Sequence, residues 1–225
     1  MRFLLALILA FSISRSSFGG FTYAFEFDQP TYQYTPSGSN VSLQLMLKES
    51  ATGGDIPRLS VGGSNGFFQM GLTIDYGTFS GAQSTFVSFT PSSGFDRPGT
   101  PSVDLSTANR VSLQFFSADA FNGYEFGSVG ANGTTSVILG TLAFSAPSGY
   151  GTTNLLLRDR NTTAGMNDNV FTDTTVIDST ASYGTASITA VPEPSSLLFS
   201  SLGALYFARY LRRKSRVSVP VASKE

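Results

Sequence analysis

The chain has 225 residues, 14 basic and 15 acidic side chains, and no cysteine, histidine or tryptophan. Without cysteine there is no disulfide framework, thiolate zinc site, iron–sulfur cluster or cysteine nucleophile, and without histidine the commonest general base and metal ligand is gone. Charged residues make up only 13%, against roughly 25% in an ordinary soluble domain. In chain order, the first element is Met1-Arg2 followed by the apolar run from Phe3 to Phe11. Small residues follow, and Ser17-Phe18-Gly19 places two of them at the −3 and −1 positions of a cut after Gly19. This is the pattern of a cleaved secretory signal over residues 1–19, with an apolar run too short to cross roughly 30 Å of hydrocarbon.

From residue 20 to 190 the apolar positions recur with period two. Phe21, Tyr23, Phe25 and Phe27 form the first run, and Val41, Leu43, Leu45 and Leu47 the second. Further runs lie at 72–76, 86–89, 111–115, 137–144, 154–157, 170–177 and 186–190. Period two marks a strand with one buried face. The intervening Pro-Ser-Gly, Ser-Ser-Gly and Asn-Gly steps are turn chemistry. No stretch shows a helical stripe and no fixed-period repeat is present. The expectation is an all-β, antiparallel β-sandwich with Greek-key links, a jelly roll being its close rival. Phenylalanine, 20 in all, is available to fill the space between two sheets.

Little in this region points to catalysis. Glycoside hydrolysis needs two carboxylates facing one sugar site; Asp75, Asp96, Asp104, Asp119 and Glu125 are available, with no pairing legible. Lys48 ends an alternating strand on its polar face. Gly62-Gly63-Ser64-Asn65-Gly66 lacks the lysine and helix of a phosphate loop and reads as a turn. The oxygen-rich segment 159–169 would offer Asp159, Asn161 and Asp168 to a hard cation. Its glycine falls at the seventh position and no glutamate stands at the twelfth, so it is not an EF-hand, and a plain surface loop is the simpler reading. Tyr32, Tyr34, Tyr76, Tyr124 and Tyr150 are the available stacking faces for sugars, against the simpler alternative of core or rim positions. Asn40, Asn132 and Asn161 match the Asn-x-Ser/Thr sequon. No catalytic residue and no cofactor is assigned.

The chain ends on a breaker, an apolar run and a basic cluster. Val191-Pro192-Glu193-Pro194-Ser195-Ser196 breaks the preceding strand, Leu197 to Ala208 is apolar, and Arg212, Arg213, Lys214 and Arg216 follow. A helix over 195–211 would run about 25 Å, slightly short for a bilayer, with the basic cluster held on the cytoplasmic side. This arrangement resembles the PEP-CTERM protein-sorting signal of Gram-negative and related environmental bacteria. The resemblance covers roughly the last 35 residues. Arg209 and Tyr210 interrupt the apolar run early, and Val217 to Glu225 extend beyond the usual end. The resemblance implies recognition by an exosortase-type sorting enzyme and delivery to the cell surface or extracellular polysaccharide matrix.

A second resemblance lies in the middle. Phe27-Asp28-Gln29-Pro30-Thr31-Tyr32, Gly38 and Val41 to Leu45 look like the opening of a cohesin-like domain. Ile138 to Ala146, Gly151 to Leu157 and Gly184 to Thr189 resemble its later strands. This implies a sandwich related to cohesins and carbohydrate-binding modules; it does not imply dockerin binding.

Charge divides the chain in the same places. Residues 21–191 carry six basic and thirteen acidic side chains, a net of −7, whereas 192–225 sum to +4. An acidic domain argues against nucleic-acid binding. The organisation expected is a signal peptide (1–19), a β-sandwich (20–190), a sorting signal with a transmembrane helix (191–216) and a cytoplasmic tail (217–225). The function expected is that of an exported, non-enzymatic structural or adhesive protein. It would be anchored in the inner membrane transiently and would then contact extracellular polysaccharide. A secreted glycan-acting enzyme and a module binding a protein partner are the alternatives.

Overall fold

The computed structural model describes residues 20–53, 55, 57–59, 66–118, 128–129, 133–161, 167–192, 203 and 205–209. Two β-sheets face each other. The first contains β1 (Phe21–Phe27), β3 (Val41–Ala51), β5 (Phe86–Pro91), β8 (Ser128–Val129), β9 (Thr134–Phe144) and β12 (Ser182–Tyr183). Its order is β12-β1-β3-β9-β5, with β8 also on β9. The second contains β2 (Thr31–Tyr34), β4 (Phe67–Gly81), β6 (Ser102–Asp104), β7 (Arg110–Phe116), β10 (Gly151–Asp159), β11 (Val170–Phe171) and β13 (Thr185–Ala190). Its order is β2-β13-β10-β4-β7-β6, with β11 also on β4.

Alternation decides which residues meet between the sheets. Val41, Leu43, Leu45 and Leu47 of β3 are buried while Ser42 and Gln44 are exposed. Phe25, Phe67, Phe95, Phe115, Phe144 and Phe171 are fully buried. Several of these rings meet edge to face, as in Phe95–Phe115 at 4.6 Å and 83°, an arrangement the ring quadrupole favours. Gly140 leaves space in β9 for a neighbour's ring: a Cβ there would lie 2.6 Å from the Phe89 ring.

The expected antiparallel pairing holds for most of the ladder, with two exceptions. β1 pairs β12 in parallel, and β2 pairs β13 in parallel. The reason is that two neighbouring stretches change sheets together. Residues 21–34 leave the first sheet at Asp28–Pro30, and residues 182–190 do so at Gly184. Asp28 fixes the first crossing by accepting the Gln44 amide at 2.8 Å and the Tyr32 hydroxyl. Gly184 fixes the second by donating its amide to the Phe25 carbonyl at 2.8 Å.

The run expected as one strand over 170–177 is also different. Only Val170–Phe171 is a strand, and Val176 returns to bridge Val170. Thr174 adopts φ 67°, and its amide bonds the Phe171 carbonyl at 3.0 Å, closing a tight turn inside the apolar run.

Glu49 follows the inward alternation of β3 and is fully buried. Its carboxylate is satisfied there: Tyr23 Oη donates at 3.2 Å and the Leu59 amide at 2.8 Å. These bonds hold Leu59 in the core. Next to it, Arg58 lies over the Phe21 and Phe171 rings and donates to Asp173 and Thr175 at 2.9 and 2.7 Å.

Candidate functional site

The outer face of the second sheet carries a groove of about 310 Å³, within the lower range of small-ligand sites. A bulge makes it. Leu156 of β10 pairs Asp75 of β4, but Asn154 pairs Thr78, so Tyr76 and Gly77 together oppose Leu155. The extra residue bends β4 away from its neighbour. Tyr76 points inward against Phe144 at 5.5 Å, and its amide bonds the Asn109 carbonyl at 2.9 Å. Asn109 stands at φ 57° at the start of β7. The Gln83 side chain ties the corner by donating to the Tyr76 carbonyl at 2.9 Å and to Asn109 Oδ1 at 3.2 Å.

Asp75 lines the groove. Its Oδ1 accepts from Arg110 Nε at 2.5 Å, and its Oδ2 faces Arg158 Nε at 2.7 Å. Arg110 is its direct partner across β7, whereas Arg158 lies diagonally on β10, within reach for a long side chain. The side chains of Arg110 and Arg158 are 43% and 56% exposed. Thr78, Thr107, Asn109 and Asn154 complete the polar lining. Hydroxyl rows flank it across the strands: Thr73–Ser112 at 3.0 Å, Thr152–Thr189 at 3.2 Å and Ser187–Thr31 at 3.2 Å. The arrangement offers planar donors, one carboxylate and several hydroxyls on one sheet face, a surface suited to polyhydroxylated ligands.

Of the described tyrosines considered as stacking faces, Tyr32, Tyr34 and Tyr76 are core residues at 5%, 4% and 8% exposure, and Tyr150, at 58%, offers its ring to solvent. Each of the three buried ones lies on the inward period of its strand, so the ring contributes to packing. Burial pushes their phenols above the usual range, aided at Tyr32 by Asp28. Tyr124 lies outside the described residues. Among the carboxylates, Asp96 accepts the Ala118 amide at 2.9 Å. Asp104 is held below the usual carboxylate range by hydrogen bonds from Ser106. Asp119 and Glu125 lie outside the described residues, as do Gly62 to Asn65 and Asn132. Lys48 is partly exposed, 4.0 Å from Glu26, and Asn40 is exposed.

The segment considered for a cation brings Asp159 to a residue not singled out in the sequence, Asp178. Burial raises the Asp159 carboxyl to about 6, with the Asp178 charge and a shared side-chain hydrogen bond adding to it. Asp178 also accepts from Asn169 Nδ2 at 2.6 Å. Asn169, fully buried, clamps Gly71 of β4 by accepting its amide at 3.1 Å and donating to its carbonyl at 3.0 Å. Asp168 instead turns to Arg160 at 3.3 Å. The Asn161 amide donates to Asp159 Oδ1 at 3.3 Å. No group of three or more acidic residues suited to a metal ion is found among the described residues.

At the ends of the sandwich, the Gly20 amide donates to Thr52 Oγ1 at 3.1 Å and the Val191 amide to the Tyr34 carbonyl at 2.9 Å. Gly19, Glu193, Pro194, Ser195, Arg212, Arg213, Lys214 and Arg216 lie outside the described residues, whereas Val191 and Pro192 lie within them. Residues 203 and 205–209 are helical, with Leu205, Tyr206 and Phe207 exposed. Among the described residues no helix is long and apolar enough to cross a membrane.

No protein-family model matches the chain, and no curated protein matches it. Solved structures of cohesins are similar to it. The cohesin in the Coh-OlpA–Doc918 complex from Clostridium thermocellum gives a TM-score of 0.48 at 8% identity, covering 76% of this chain and 99% of that one. CaCohA2 from Clostridium acetobutylicum gives 0.46 at 16%, covering 76% and 92%. A type III cohesin module from the ScaE cell-surface anchoring scaffoldin of Ruminococcus flavefaciens gives 0.43 at 9%, covering 76% and 88%.

Proposed function

We propose that the protein is an exported, non-enzymatic surface or matrix component whose sandwich holds extracellular polysaccharide on the outer face of its second sheet. The observation that carries this reading is the groove around Asp75, set between rows of serine and threonine hydroxyls. Sugars present hydroxyls at fixed spacing, and planar side chains such as Asn, Asp and Arg bond them in pairs. The groove lining contains one carboxylate, and two guanidiniums face it. Glycoside hydrolysis uses a pair of carboxylates facing one sugar site, and among the described residues this lining supplies a single one. That favours holding a glycan over cutting it.

The same reading assigns residues 1–19 to export and 191–216 to sorting. Val191 to Ser195 would be the recognition motif, and Arg212, Arg213, Lys214 and Arg216 the cytoplasmic stop of a temporary anchor handled by an exosortase-type enzyme. Affinity of the full chain for matrix polysaccharide, compared with Asn154→Ala and Asp75→Asn, tests the binding surface; equal affinity in all three contradicts it. Intact mass of surface-released protein tests the sorting. A C-terminus near Pro192–Pro194 supports it, and a full-length tail retained in the membrane fraction contradicts processing.

A further inference from the structure

The groove is a place where the ion pairs of the described residues do not balance. Lys48 faces Glu26, Arg58 faces Asp173 and Arg160 faces Asp168, one cation to one carboxylate. Asp75 faces two, Arg110 and Arg158. The triplet therefore carries +1, on a domain whose residues 21–191 sum to −7. At physiological ionic strength the screening length is about 8 Å, so a ligand in the groove feels the triplet more than the distant acidic residues.

The geometry of the two arginines says what that charge can meet. Each turns its Nε to Asp75, and a guanidinium is a rigid planar fork whose terminal nitrogens carry further donors. Both side chains are about half exposed and both line the groove. A planar carboxylate matches such a fork in two-point fashion, and charge-assisted bonds of this kind are roughly twice as strong as neutral ones. Asn154 and Thr78 stand in register beside them, with amide and hydroxyl groups for uncharged partners.

We propose that the groove selects acidic sugars, binding the carboxylate of a uronic-acid unit through the terminal nitrogens of Arg110 and Arg158 while Asn154 and Thr78 bond its hydroxyls. This rests on the polysaccharide reading above and names the sugar class. Asp75 acts as a positioning residue: it holds the two forks side by side and is not itself the ligand's partner.

The test is titration calorimetry of the full chain with tetrameric uronates of the gluco, galacto and manno series, each beside its fully methyl-esterified form. Esterification removes the charge and keeps the sugar skeleton. The expected result is that at least one acid binds about tenfold more tightly than its ester, a difference of about 1.4 kcal/mol. Added salt should weaken the acid and leave the ester unchanged. Arg110→Gln with Arg158→Gln should remove the preference, and Arg158→Lys, which keeps charge without the fork, should retain part of it. Thermal melts of each variant check that the sandwich is intact. If esters bind as tightly as acids and Asn154→Ala weakens both, the acidic-sugar inference is overturned while the polysaccharide reading stands. If no acid and no ester binds, both are overturned.

Discussion

Two carboxylate groupings on the second sheet solve opposite electrostatic problems. At the bulge, Asp75 is one carboxylate between two exposed arginines, open to solvent along one side. At the far end of β10, Asp159 and Asp178 are two acids sharing a hydrogen bond, with a buried asparagine behind them. The first leaves spare positive charge at a surface, where it is available to a ligand. The second is closed: its polar atoms are engaged by Asn169, by the Gly71 backbone through that side chain, and by the Asn161 amide. Spare donors in a groove suit recognition, whereas internally satisfied acids suit holding the 167–181 segment onto the sheet.

The largest effect should come from the closed grouping. Asn169→Ala strips partners from the Gly71 amide and carbonyl and from Asp178 together. It should cost about 3 kcal/mol, read as a fall in the urea midpoint. Gly71→Ala should behave similarly, because its Cβ would lie 2.4 Å from that of Asp168. A loss below about 1 kcal/mol in both would show that the clamp is not structural.

Next comes a pH effect. Asp159 is raised in the folded state to about 6, above the roughly 3.9 of an unfolded aspartate. Its contribution is therefore fully present below pH 4 and is lost as pH rises through 6. Asp159→Asn keeps a hydrogen-bonding side chain and cannot ionise. The variant should melt higher than the wild type at pH 8 and close to it at pH 4; the reverse order would contradict the shared-proton arrangement.

Smaller still, Asp75→Asn should change stability by less than about 1 kcal/mol, since both of its arginine partners are about half exposed and water takes up much of the lost interaction. It should nonetheless weaken polysaccharide binding, because the two forks lose the group that aligns them. Least of all, Lys48→Gln on the opposite sheet should alter stability by no more than about 0.5 kcal/mol and leave binding untouched. If Lys48→Gln weakened binding as much as Asp75→Asn, the two outer faces would not differ in the way proposed.

The strands were legible because burial follows their alternation. Phe21 to Phe27 and Val41 to Leu47 are strands with every second side chain inside. The parallel edges were not legible, because they come from two stretches about 150 residues apart crossing together, and no local pattern encodes a long-range partner. The turn inside 170–177 was missed because its apolar residues keep their spacing while Thr174 takes a left-handed conformation. Of the groove, Asp75 was one acid among several, and Arg110 and Arg158 had no reason to be joined to it. Those three belong to three strands and meet only through the register of β10 and β7 against β4. The available signal was that both arginines occupy outward positions of alternating runs in a domain with six basic residues.

The most direct measurement is nuclear magnetic resonance of the full chain with isotope-labelled arginine, titrated with matrix polysaccharide. The Nε resonances of Arg110 and Arg158 should shift together and saturate, while that of Arg58, stacked at the other end of the sandwich between Phe21 and Phe171, stays fixed. Shifts at Arg58 with none at Arg110 and Arg158 would place binding elsewhere and contradict the groove as the polysaccharide site.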